Sequence, residues 1–579
     1  MKILAFLTDP PVVFAILEHF RLPHAPPPTR TATSGPLAEE SVVTVGSIRD
    51  QILTAPSHQF RWRPQKGERS LSDYPRPFGS ATVGLGAIVR AEKRRVSMHF
   101  ESRVPYSLRR RTRGRYPGVR MRLIVGAVLL APAATACVNP NTLSDPPPNI
   151  VFVLLDDVRL DDIVENPFVE LPNFARVAQE GASFTNFFTA APLCSPSRAV
   201  FLTGQYPHRN GIVDNRERAE QSHSIRTFPR ILHDAGYRSA FIGKWHMGHE
   251  DDTPRPGFDR WVSFVGQGTY FDPEMNIDGE YVRESGYMTD ILSRYSADFI
   301  ESTHRSQPFV LYLAHKAVHP EILEGRQRSF PPAPEDGELY KGATLPRTPA
   351  WQAPLDGKPA LERVTDYTDP RSPAGGTPDT DVLARLRMLS AVDRGLGEIL
   401  GALEDQGQLD NTVVIVTSDQ GFFYGEFGLA QERRLAYEPT IRIPLLVRYP
   451  PLISGGQELS TMAANVDVAP TVLDLAGLTP PDDMDGVSIK SVFGGRDFQP
   501  RSSFLIEYYT DEVFERIQDM GYRAIRTDRY KYIRYTDLEG MDELYDLVAD
   551  PYELRNIYDE TDPETRVELG RQLDGLLVR

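Results

Sequence analysis

Cysteine is nearly absent from this sequence, which contains only Cys137 and Cys194 among 579 residues. Two cysteines cannot form the disulfide framework that stabilises small secreted domains, so stability must come from a hydrophobic core. Hydrophobic residues make up 40% of the chain and charged residues 25%. This is the composition of a globular protein, and the length allows two or more domains.

Positive charge is scarce in most of the chain. Residues 1–120 hold 20 Lys and Arg against 9 Asp and Glu, so the remaining 459 residues hold 44 against 70. An acidic body is a poor partner for nucleic acid or for an anionic membrane, because both require clustered Lys and Arg. We therefore expect no nucleic-acid partner, and we expect any anionic substrate to bind in a locally positive pocket.

The N-terminal region also lacks an apolar run long enough to span a membrane. Residues 123–130 are apolar, but a transmembrane helix needs roughly 20 such residues. The run follows Met121 and Arg122 and precedes small residues that end at Cys137, which is the order of a secretory signal with a lipoprotein-like end. Residues 121–137 therefore predict export to the periplasm or cell surface, with a possible lipid anchor at Cys137.

Residues 1–120 show scattered Pro, Ser and Arg without sustained apolar periodicity, so we assign them no fold. One hypothesis is that Met121 is the true start of the protein and that the upstream segment is an over-extended gene prediction. The alternative is a disordered arm that is translated. A tryptic peptide from residues 1–100 of the native protein would decide for the arm.

From Asn149 onward, apolar runs alternate with helical patterns, which is typical of an α/β fold around a mostly parallel sheet. Four apolar runs end in polar residues. These are residues 150–155 before Asp156 and Asp157, residues 239–242 before Lys244 and His246, residues 309–313 before His315 and His319, and residues 413–416 before Asp419 and Gln420. Ligands of parallel sheets bind beyond the carboxyl ends of the strands, so these polar residues should converge at one edge.

Two helical patterns connect the strands. Residues 226–234 stop before Gly236, and residues 380–404 keep apolar residues at helical spacing before Gly407. We interpret both as packing helices.

Residues 321–378 interrupt the alternation with Pro, Gly and acidic residues and are much longer than an ordinary connection. Because this segment directly follows His319, we expect it to overhang the pocket and to help set substrate choice. After about residue 495, short strand patterns at residues 522–525 and 530–533 and a closing helical pattern predict a small α+β subdomain.

The segment around Cys194 has features of an anion site. Ser195 is a good N-cap and Pro196 suits the first helical position, so Cys194 should lie just ahead of a helix N-terminus. That end of a helix carries partial positive charge and free N–H groups, and Arg198, one turn on, can reach back. The simpler alternative is that a single Cys is a small buried hydrophobic residue.

The spacing Cys194-x-Pro196-x-Arg198-x4-Thr203-Gly204 resembles the signature of the sulfatase family. The resemblance covers roughly residues 148–560 and includes the strand that ends at Asp156 and Asp157, the Lys244 and His246 motif, and the Asp419 and Gln420 motif. It implies an alkaline-phosphatase-like α/β/α sandwich, with a catalytic domain over residues 148–495 and a C-terminal subdomain over residues 496–579.

The resemblance also implies a cofactor set. A formylglycine-generating enzyme would oxidise Cys194 to formylglycine, and a divalent cation would be bound by Asp156, Asp157, Asp419, Gln420 and the oxidised Cys194. So many oxygen donors favour Ca²⁺, with Mg²⁺ as the alternative. Many members have Asn or His where this chain has Gln420, which still offers a carbonyl oxygen.

The mechanism that the resemblance implies begins with attack on sulfur by one hydroxyl of the hydrated formylglycine, which the metal and Asp419 help to deprotonate. The second hydroxyl then expels sulfate. Lys244 and Arg198 would hold charged oxygens and His246 would orient the formylglycine.

His319 would protonate the leaving oxygen. Val318 departs from the Pro that often precedes this His in the family, so His315 stays open as an alternative that contacts substrate or caps the strand end. Arg433 takes the place of a Lys that commonly contacts sulfate, and it keeps the charge while adding bidentate geometry.

Residues 437–448 look like the branch of the family that contains glucosamine-6-sulfatases, so a sulfated saccharide is the expected substrate. Two alternatives remain open. One is a phosphonate or phosphate diester hydrolase, which shares the fold and signature. The other is an inactive carbohydrate-binding surface protein on the same scaffold, against which the full set of predicted catalytic residues argues.

Overall fold

The computed structural model describes residues 146–578 except residues 165, 217–218, 249, 325–326, 364–374, 496–500 and 510–516. The predictions for residues 1–120, for the signal segment 121–137 and for Cys137 therefore lie outside the described residues. Within the described part, no helix has both the length and the apolar character needed to cross a membrane.

Most of the strands in the described residues belong to one central sheet of ten strands and to one C-terminal sheet of four. The strands are β1 (Asn149–Leu155), β2 (Ala182–Phe184), β3 (Phe187–Phe188), β4 (Arg238–Gly243), β5 (Arg260–Ser263), β6 (Glu274–Ile277), β7 (Glu280–Arg283), β8 (Phe309–Ala314), β9 (Glu321–Ile322), β10 (Arg328–Ser329), β11 (Thr412–Ser418), β12 (Leu445–Arg448), β13 (Gln457–Leu459), β14 (Ala463–Ala464), β15 (Ser503–Tyr508), β16 (Tyr522–Thr527), β17 (Tyr530–Tyr535) and β18 (Glu543–Asp546).

The helices in the same residues range from one turn to 27 residues. They are α1 (Leu160–Ile163), α2 (Pro172–Gln179), α3 (Cys194–Thr203), α4 (Pro207–Asn210), α5 (Ala219–Ser224), α6 (Phe228–Asp234), α7 (Met288–Glu301), α8 (Pro359–Glu362), α9 (Asp379–Asp405), α10 (Glu438–Ile441), α11 (Val468–Leu475), α12 (Lys490–Phe493) and α13 (Pro563–Leu577). Short 3₁₀ turns lie at Pro334–Asp336, Leu409–Asn411 and Asn465–Asp467.

The central sheet has the order β13-β2-β12-β11-β1-β8-β4-β5-β6-β7. Its five central strands, from β11 to β5, are parallel. Most of the flanking pairs are antiparallel. The four strands whose ends carry the predicted polar residues are β1, β4, β8 and β11, and they are direct neighbours. The prediction of a mostly parallel α/β sheet is therefore confirmed.

Both faces of the sheet are covered, as the side chains of β1 show. Val151, Val153 and Leu155 pack into a core that also contains buried residues of α7 and α9. Ile150, Phe152 and Leu154 point the other way, into a core with residues of α3, α6 and α11. This alternation follows from the two-residue period of a strand and produces the predicted α/β/α sandwich.

The two predicted packing helices are present. The pattern at residues 226–234 forms α6, which begins after Thr227, whose hydroxyl accepts a hydrogen bond from the Arg230 N–H. The pattern at residues 380–404 forms the long helix α9, and Gly407 follows it with a left-handed φ of 65°.

The C-terminal strands β15–β18 form an antiparallel sheet, and α13 packs on it. This matches the predicted α+β composition, while the domain boundary at residue 495 stays a prediction. Buried residues of this sheet, such as Phe504 and Ile525, share one core with Phe188 and Leu193, which directly precede α3. The Glu507 N–H also donates to the Ala190 carbonyl at 2.9 Å.

Residues 321–378 contain more regular structure than a long connection suggests. The β9–β10 hairpin follows His319 immediately, and α8 lies further along. Arg328 on β10 donates to the Gln431 carbonyl at 2.9 Å, so the hairpin contacts the segment that carries Arg433. This contact supports the expected position beside the pocket, while an effect on substrate choice stays a prediction.

Gly243, at the end of β4, provides a test of the backbone that precedes Lys244. Its φ is 117°, and a Cβ there would lie 1.9 Å from the Ala314 carbonyl oxygen of β8. We expect Gly243→Ala to lower the free energy of unfolding by about 1–3 kcal/mol through strain and overpacking. Chemical denaturation measures this change.

The matched control is Gly401→Ala in α9, where an added Cβ meets no atom within 4 Å. Because Ala is the better helix former, this substitution should raise stability by about 0.5–1 kcal/mol. A Gly243→Ala variant as stable as the wild type would contradict the close approach of β4 and β8.

Candidate functional site

The four parallel strands bring the predicted polar residues together at one edge of the sheet. Asp156 and Asp157 follow β1, and Asp419 and Gln420 follow β11 beside it. Lys244 follows β4, while His315 and His319 follow β8. The backbone binds these endings to each other, since the Asp419 N–H donates to the Leu155 carbonyl at 3.0 Å and the Lys244 N–H to the Ala314 carbonyl at 2.8 Å.

Cys194 is the first residue of α3, and the helix start differs from the prediction. The residue that precedes the helix is Leu193, in an extended conformation, so Ser195 is not the N-cap. The free Ser195 N–H donates instead to Asn215 Oδ1 at 2.9 Å. The prediction of Ser195 as N-cap was wrong because it used local residue preferences alone. These preferences do not reveal that Asn215, 20 residues further along the chain, accepts the hydrogen bond from the Ser195 N–H.

The Cys194 thiol is buried between acidic and polar groups. Its Sγ lies 3.9 Å from Asp156 Oδ1 and 3.4 Å from Gln420 Nε2. Burial raises the pKa of the thiol to about 11, and the nearby Asp156 carboxylate acts in the same direction against the charge of Lys244. The unmodified side chain is therefore a neutral thiol at physiological pH.

Three buried carboxylates form the centre of the site. One oxygen from each of Asp156, Asp157 and Asp419 lies within 4.8 Å of the other two. Arg198 holds two of these groups, because its Nη2 donates to Asp156 Oδ2 and Asp419 Oδ2, each at 2.9 Å. Lys244 Nζ forms an ion pair with Asp156 Oδ2.

The electrostatics of the carboxylates follow from these contacts. Burial alone would raise the pKa of Asp156, but the charges of Lys244 and Arg198 outweigh it and hold the pKa below its ordinary value. Burial and the neighbouring Asp156 carboxylate raise the pKa of Asp419. Closely packed carboxylates of this kind need further positive charge to remain ionised together.

The donor set fits a hard divalent cation. Asp157 Oδ2 and Gln420 Oε1 are buried and accept no hydrogen bond from any described residue. The Gln420 amide is held beside the cluster because its Nε2 donates to Asp157 Oδ1 at 2.7 Å. Carboxylate and amide oxygens are the ligands that Ca²⁺ and Mg²⁺ prefer. The site could therefore bind such an ion through these side chains.

His246 contacts the side chains of Ser195 and Gln267. Its Nδ1 is 3.3 Å from Ser195 Oγ, and that hydroxyl donates to the His246 carbonyl at 2.9 Å. Its Nε2 is 2.9 Å from Gln267 Nε2. Gln267 lies in the loop after β5, and the sequence analysis did not identify it because no motif marks that loop.

His319 is held in one tautomer by its two contacts. Its Nδ1 lies 2.8 Å from the Pro320 carbonyl oxygen and its Nε2 lies 3.0 Å from Arg433 Nη2. A carbonyl only accepts and a guanidinium only donates, so the proton is on Nδ1 and the lone pair on Nε2. Burial and the charges of Lys244, Arg433 and Lys316 hold the pKa of His319 well below its ordinary value.

Arg433 connects His319 to the carboxylates. Its Nη1 lies 3.1 Å from Asp157 Oδ2, and the side chain is almost fully buried. Its Nε makes no hydrogen bond within the described part of the chain, and its Nη1 has only this ion pair. The Nε–H of Arg433 therefore stays available, whereas every side-chain nitrogen of Arg198 already donates.

His315 differs from His319 in its surroundings. Its ring is buried, its Nδ1 has no partner among the described residues, and burial lowers its pKa to about 3. One ring nitrogen of His319 lies within 4.8 Å of a carboxylate oxygen of Asp156 and of Cys194 Sγ. The contact of His315 with substrate stays a prediction, and of the two residues His319 is the one that clusters with Cys194.

Lys316 is a second residue that the sequence analysis missed. It is fully buried, and its Nζ lies 3.1 Å from the Pro320 carbonyl oxygen and 4.6 Å from the centre of the Tyr270 ring. Its position between His315 and His319, directly after a buried strand, is the signal that could have identified it.

Comparisons with known proteins agree with this geometry. The family model described as Sulfatase matches residues 148–478, and the model described as N-sulphoglucosamine sulphohydrolase, C-terminal, matches residues 425–577. An N-acetylglucosamine-6-O-sulfatase of Bacteroides thetaiotaomicron is 31% identical over 498 residues, which cover 74% of this chain and 86% of that protein. The human N-acetylglucosamine-6-sulfatase is 28% identical and covers 74% of this chain and 84% of its own length.

Among solved structures, one described as a complex with its substrate D-glucosamine-2-N,6-O-disulfate has a TM-score of 0.65 and 29% identity. The match covers 74% of this chain and 97% of that one. The phosphonate monoester hydrolase of Agrobacterium radiobacter has a TM-score of 0.59 at 19% identity, and it covers 74% of this chain and 95% of its own. At that identity the likeness concerns the fold alone.

The burial of Cys194 predicts its reactivity in protein that carries the unmodified thiol. Iodoacetamide reacts with the thiolate, and a pKa of about 11 leaves Cys194 neutral at pH 8. We expect alkylation in the native state to be at least about 100-fold slower than in guanidinium, where the thiol has its ordinary pKa. Mass spectrometry of the tryptic peptide that ends at Arg198 measures the label, and equal labelling in both states would contradict the buried position.

Proposed function

This chain belongs to the sulfatase family, and from that premise we propose that it removes sulfate from a 6-O-sulfated glucosamine unit of a saccharide. Family membership makes the chain a sulfuric ester hydrolase that acts on a sulfated carbohydrate. The observation that carries the proposed hydrolysis is the position of Cys194, which lies beside the Asp156 carboxylate and close enough to Arg433 for the two groups to interact electrostatically.

The choice of glucosamine rests on the relatives. The similar curated proteins include N-acetylglucosamine-6-sulfatases from a bacterium and from mammals. A related structure was solved with a glucosamine that carries 2-N- and 6-O-sulfates. The substrate of this chain is therefore proposed from chemistry that several relatives share.

We propose that Cys194 acts after oxidation to formylglycine by a formylglycine-generating enzyme, its maturation partner. The hydrated aldehyde supplies a hydroxyl that can attack sulfur, a reaction that a thiol with a raised pKa does not favour. Asp419 is the proposed acceptor of the proton from that hydroxyl, and Lys244 and Arg433, which pair with Asp156 and Asp157, are proposed to bind the sulfate oxygens.

A divalent cation is the second proposed component. Asp156, Asp157, Asp419 and Gln420, together with oxidised Cys194, would bind Ca²⁺, with Mg²⁺ as the alternative. When bound, the cation neutralises negative charge on the sulfate group and on the carboxylates. Arg198 then acts mainly by holding Asp156 and Asp419 in place, because its donors are all directed at protein oxygens.

His319 is the proposed proton donor to the leaving oxygen, and His246 the proposed orienting group for the modified Cys194. In the free site, burial and the charges of Lys244, Arg433 and Lys316 lower the pKa of His319 and favour its neutral form. A bound sulfate ester brings negative charge and engages the Arg433 donors, which releases Nε2 and favours its protonation. The contact between His246 and Ser195 keeps that imidazole beside the start of α3.

Three further features are proposed. They are export through residues 121–137, with a lipid anchor at Cys137; a catalytic domain over residues 148–495; and a subdomain over residues 496–579. An extracellular sulfatase homologue of Drosophila melanogaster is among the relatives, which supports export.

A phosphonate or phosphate diester hydrolase is the second candidate function, and its support is the fold likeness to phosphonate monoester hydrolases. The relatives with higher sequence identity are sulfatases, so we rank sulfate esters first. An inactive carbohydrate-binding protein fits less well, because the structure brings the whole predicted catalytic set together.

The nucleophile can be tested in a host that makes the maturation enzyme. Cys194→Ala should lower kcat/KM for 4-nitrophenyl sulfate and for N-acetylglucosamine 6-sulfate by at least about 10³-fold. The wild-type tryptic peptide that ends at Arg198 should show formylglycine by mass. Full hydrolysis by the variant would overturn the mechanism, and a clear wild-type preference for phenyl phosphonate esters would favour the second candidate.

The metal site predicts a linkage between Ca²⁺ and stability. At a Ca²⁺ concentration about 100 times its Kd, we expect a gain of about 2.7 kcal/mol in the free energy of unfolding, and a chelator should remove both this gain and the activity. Asp157→Asn should lose most of the response. Differential scanning fluorimetry with and without Ca²⁺ measures it.

The matched control is Asp162→Asn, since Asp162 is also a buried carboxylate near β1 but accepts its hydrogen bonds from the Tyr424 hydroxyl and the Arg159 backbone N–H. This variant should keep the full Ca²⁺ response whatever its own stability. A response that survives in Asp157→Asn would place the cation elsewhere.

A further inference from the structure

Lys316 is a buried lysine that the proposed mechanism does not use. It has no exposed surface, and among the described residues its Nζ contacts the Pro320 carbonyl oxygen and the Tyr270 ring without forming an ion pair. Burial and the charge of Lys244 lower the pKa of its amine to about 7, because an ammonium group with so few partners loses its hydration, and this burial costs stability. A function in the site would explain why the fold keeps it there.

The backbone around Lys316 is fixed from two sides. The Tyr270 hydroxyl donates to the His319 carbonyl at 2.6 Å and lies 3.2 Å from the Lys316 carbonyl. The Asp156 N–H donates to the Ala317 carbonyl at 3.0 Å, and the Val318 N–H donates to the Asp156 carbonyl at 2.9 Å. The turn that carries Lys316 and His319 is thus bound directly to the backbone of the carboxylate cluster.

Lys316 and His319 share one acceptor. Lys316 Nζ donates to the Pro320 carbonyl at 3.1 Å, and His319 Nδ1 donates to the same oxygen at 2.8 Å. A carbonyl oxygen has two lone pairs and can accept both bonds. The Lys316 amine therefore holds in place the oxygen that fixes the His319 tautomer, with His319 Nε2 directed at Arg433.

We propose that Lys316 is a positioning residue for His319: its bond to the Pro320 carbonyl keeps the imidazole aligned to give a proton to the leaving oxygen. This inference rests on the proposed function, because it requires His319 to act as the acid. Lys316 itself touches neither the reacting atoms nor Cys194.

The leaving group of the substrate provides the test. A sulfate ester of 4-nitrophenol has an acidic leaving group that needs little protonation, whereas a sugar 6-sulfate releases a weakly acidic alcohol that needs it. General acid catalysis contributes about 10²–10⁴-fold, so we expect Lys316→Met to lower kcat/KM about 10- to 100-fold on N-acetylglucosamine 6-sulfate and only about threefold on 4-nitrophenyl sulfate. Lys316→Arg, which keeps a charged donor, should restore part of the selective loss.

A double-mutant cycle with His319→Asn separates positioning from a general loss of structure. If Lys316 acts through His319, adding Lys316→Met to His319→Asn should cause little further loss on the sugar sulfate. Additive losses, or equal losses on both substrates, would overturn the proposal. If Lys316→Met does not fold, Lys316→Leu, which also lacks a donor, is measured in its place under the same criteria.

Lys358 is the matched control, because it is also a fully buried lysine that donates to a carbonyl, that of Glu553 at 2.7 Å, and lies over aromatic rings. Lys358→Met should change stability without any leaving-group selectivity. If kcat/KM falls more on the sugar sulfate than on 4-nitrophenyl sulfate in His319→Asn but not in Lys316→Met, only the role of Lys316 is overturned. Absence of selective loss in His319→Asn overturns the proposed acid and this inference together.

Discussion

The rest of the site depends on how three carboxylates can be buried side by side. Asp156, Asp157 and Asp419 repel one another in a buried region, and Arg198 and Lys244 offset that repulsion. The parallel order of β11, β1, β8 and β4 brings the carboxylates and Lys244 to one edge of the sheet, and α3 supplies Arg198. The sheet therefore supports these residues and also brings positive charge close enough to offset the three carboxylates.

Arg198 and Arg433 differ in the groups that their nitrogens contact. Arg198 lies one turn into α3, and all its side-chain nitrogens donate to protein oxygens. It therefore stabilises the Asp156 and Asp419 carboxylates. Arg433 lies on a loop, contacts Asp157 through Nη1 and His319 through Nη2, and has no hydrogen-bond partner for its Nε–H among the described residues. An acidic protein can thus attract an anion because a few positive groups are enclosed where the acidic surface cannot screen them.

Much of the fold was predictable from the sequence, because buried strands and the polar residues that end them are local patterns. The strands that precede Asp156, Lys244, His319 and Asp419 are present, and so are the two packing helices. The residues that contact the site residues were harder to predict from the sequence. Asn215 at the start of α3, Gln267 beside His246 and the acceptor that Lys316 shares with His319 all depend on contacts between distant segments or on the course of a loop. The roles of the site residues follow from resemblance and geometry together, and neither is a local pattern.

The shared core of the C-terminal sheet has a consequence for the order of events during synthesis. Phe188 and Leu193, just ahead of Cys194, are buried with residues of β15 and β16, which leave the ribosome more than 300 residues later. Until then the core that contains Leu193, the neighbour of Cys194, is incomplete, so the thiol is less protected in the unfinished chain than in the folded protein. The C-terminal segment therefore limits the time during which the Cys194 side chain can be modified.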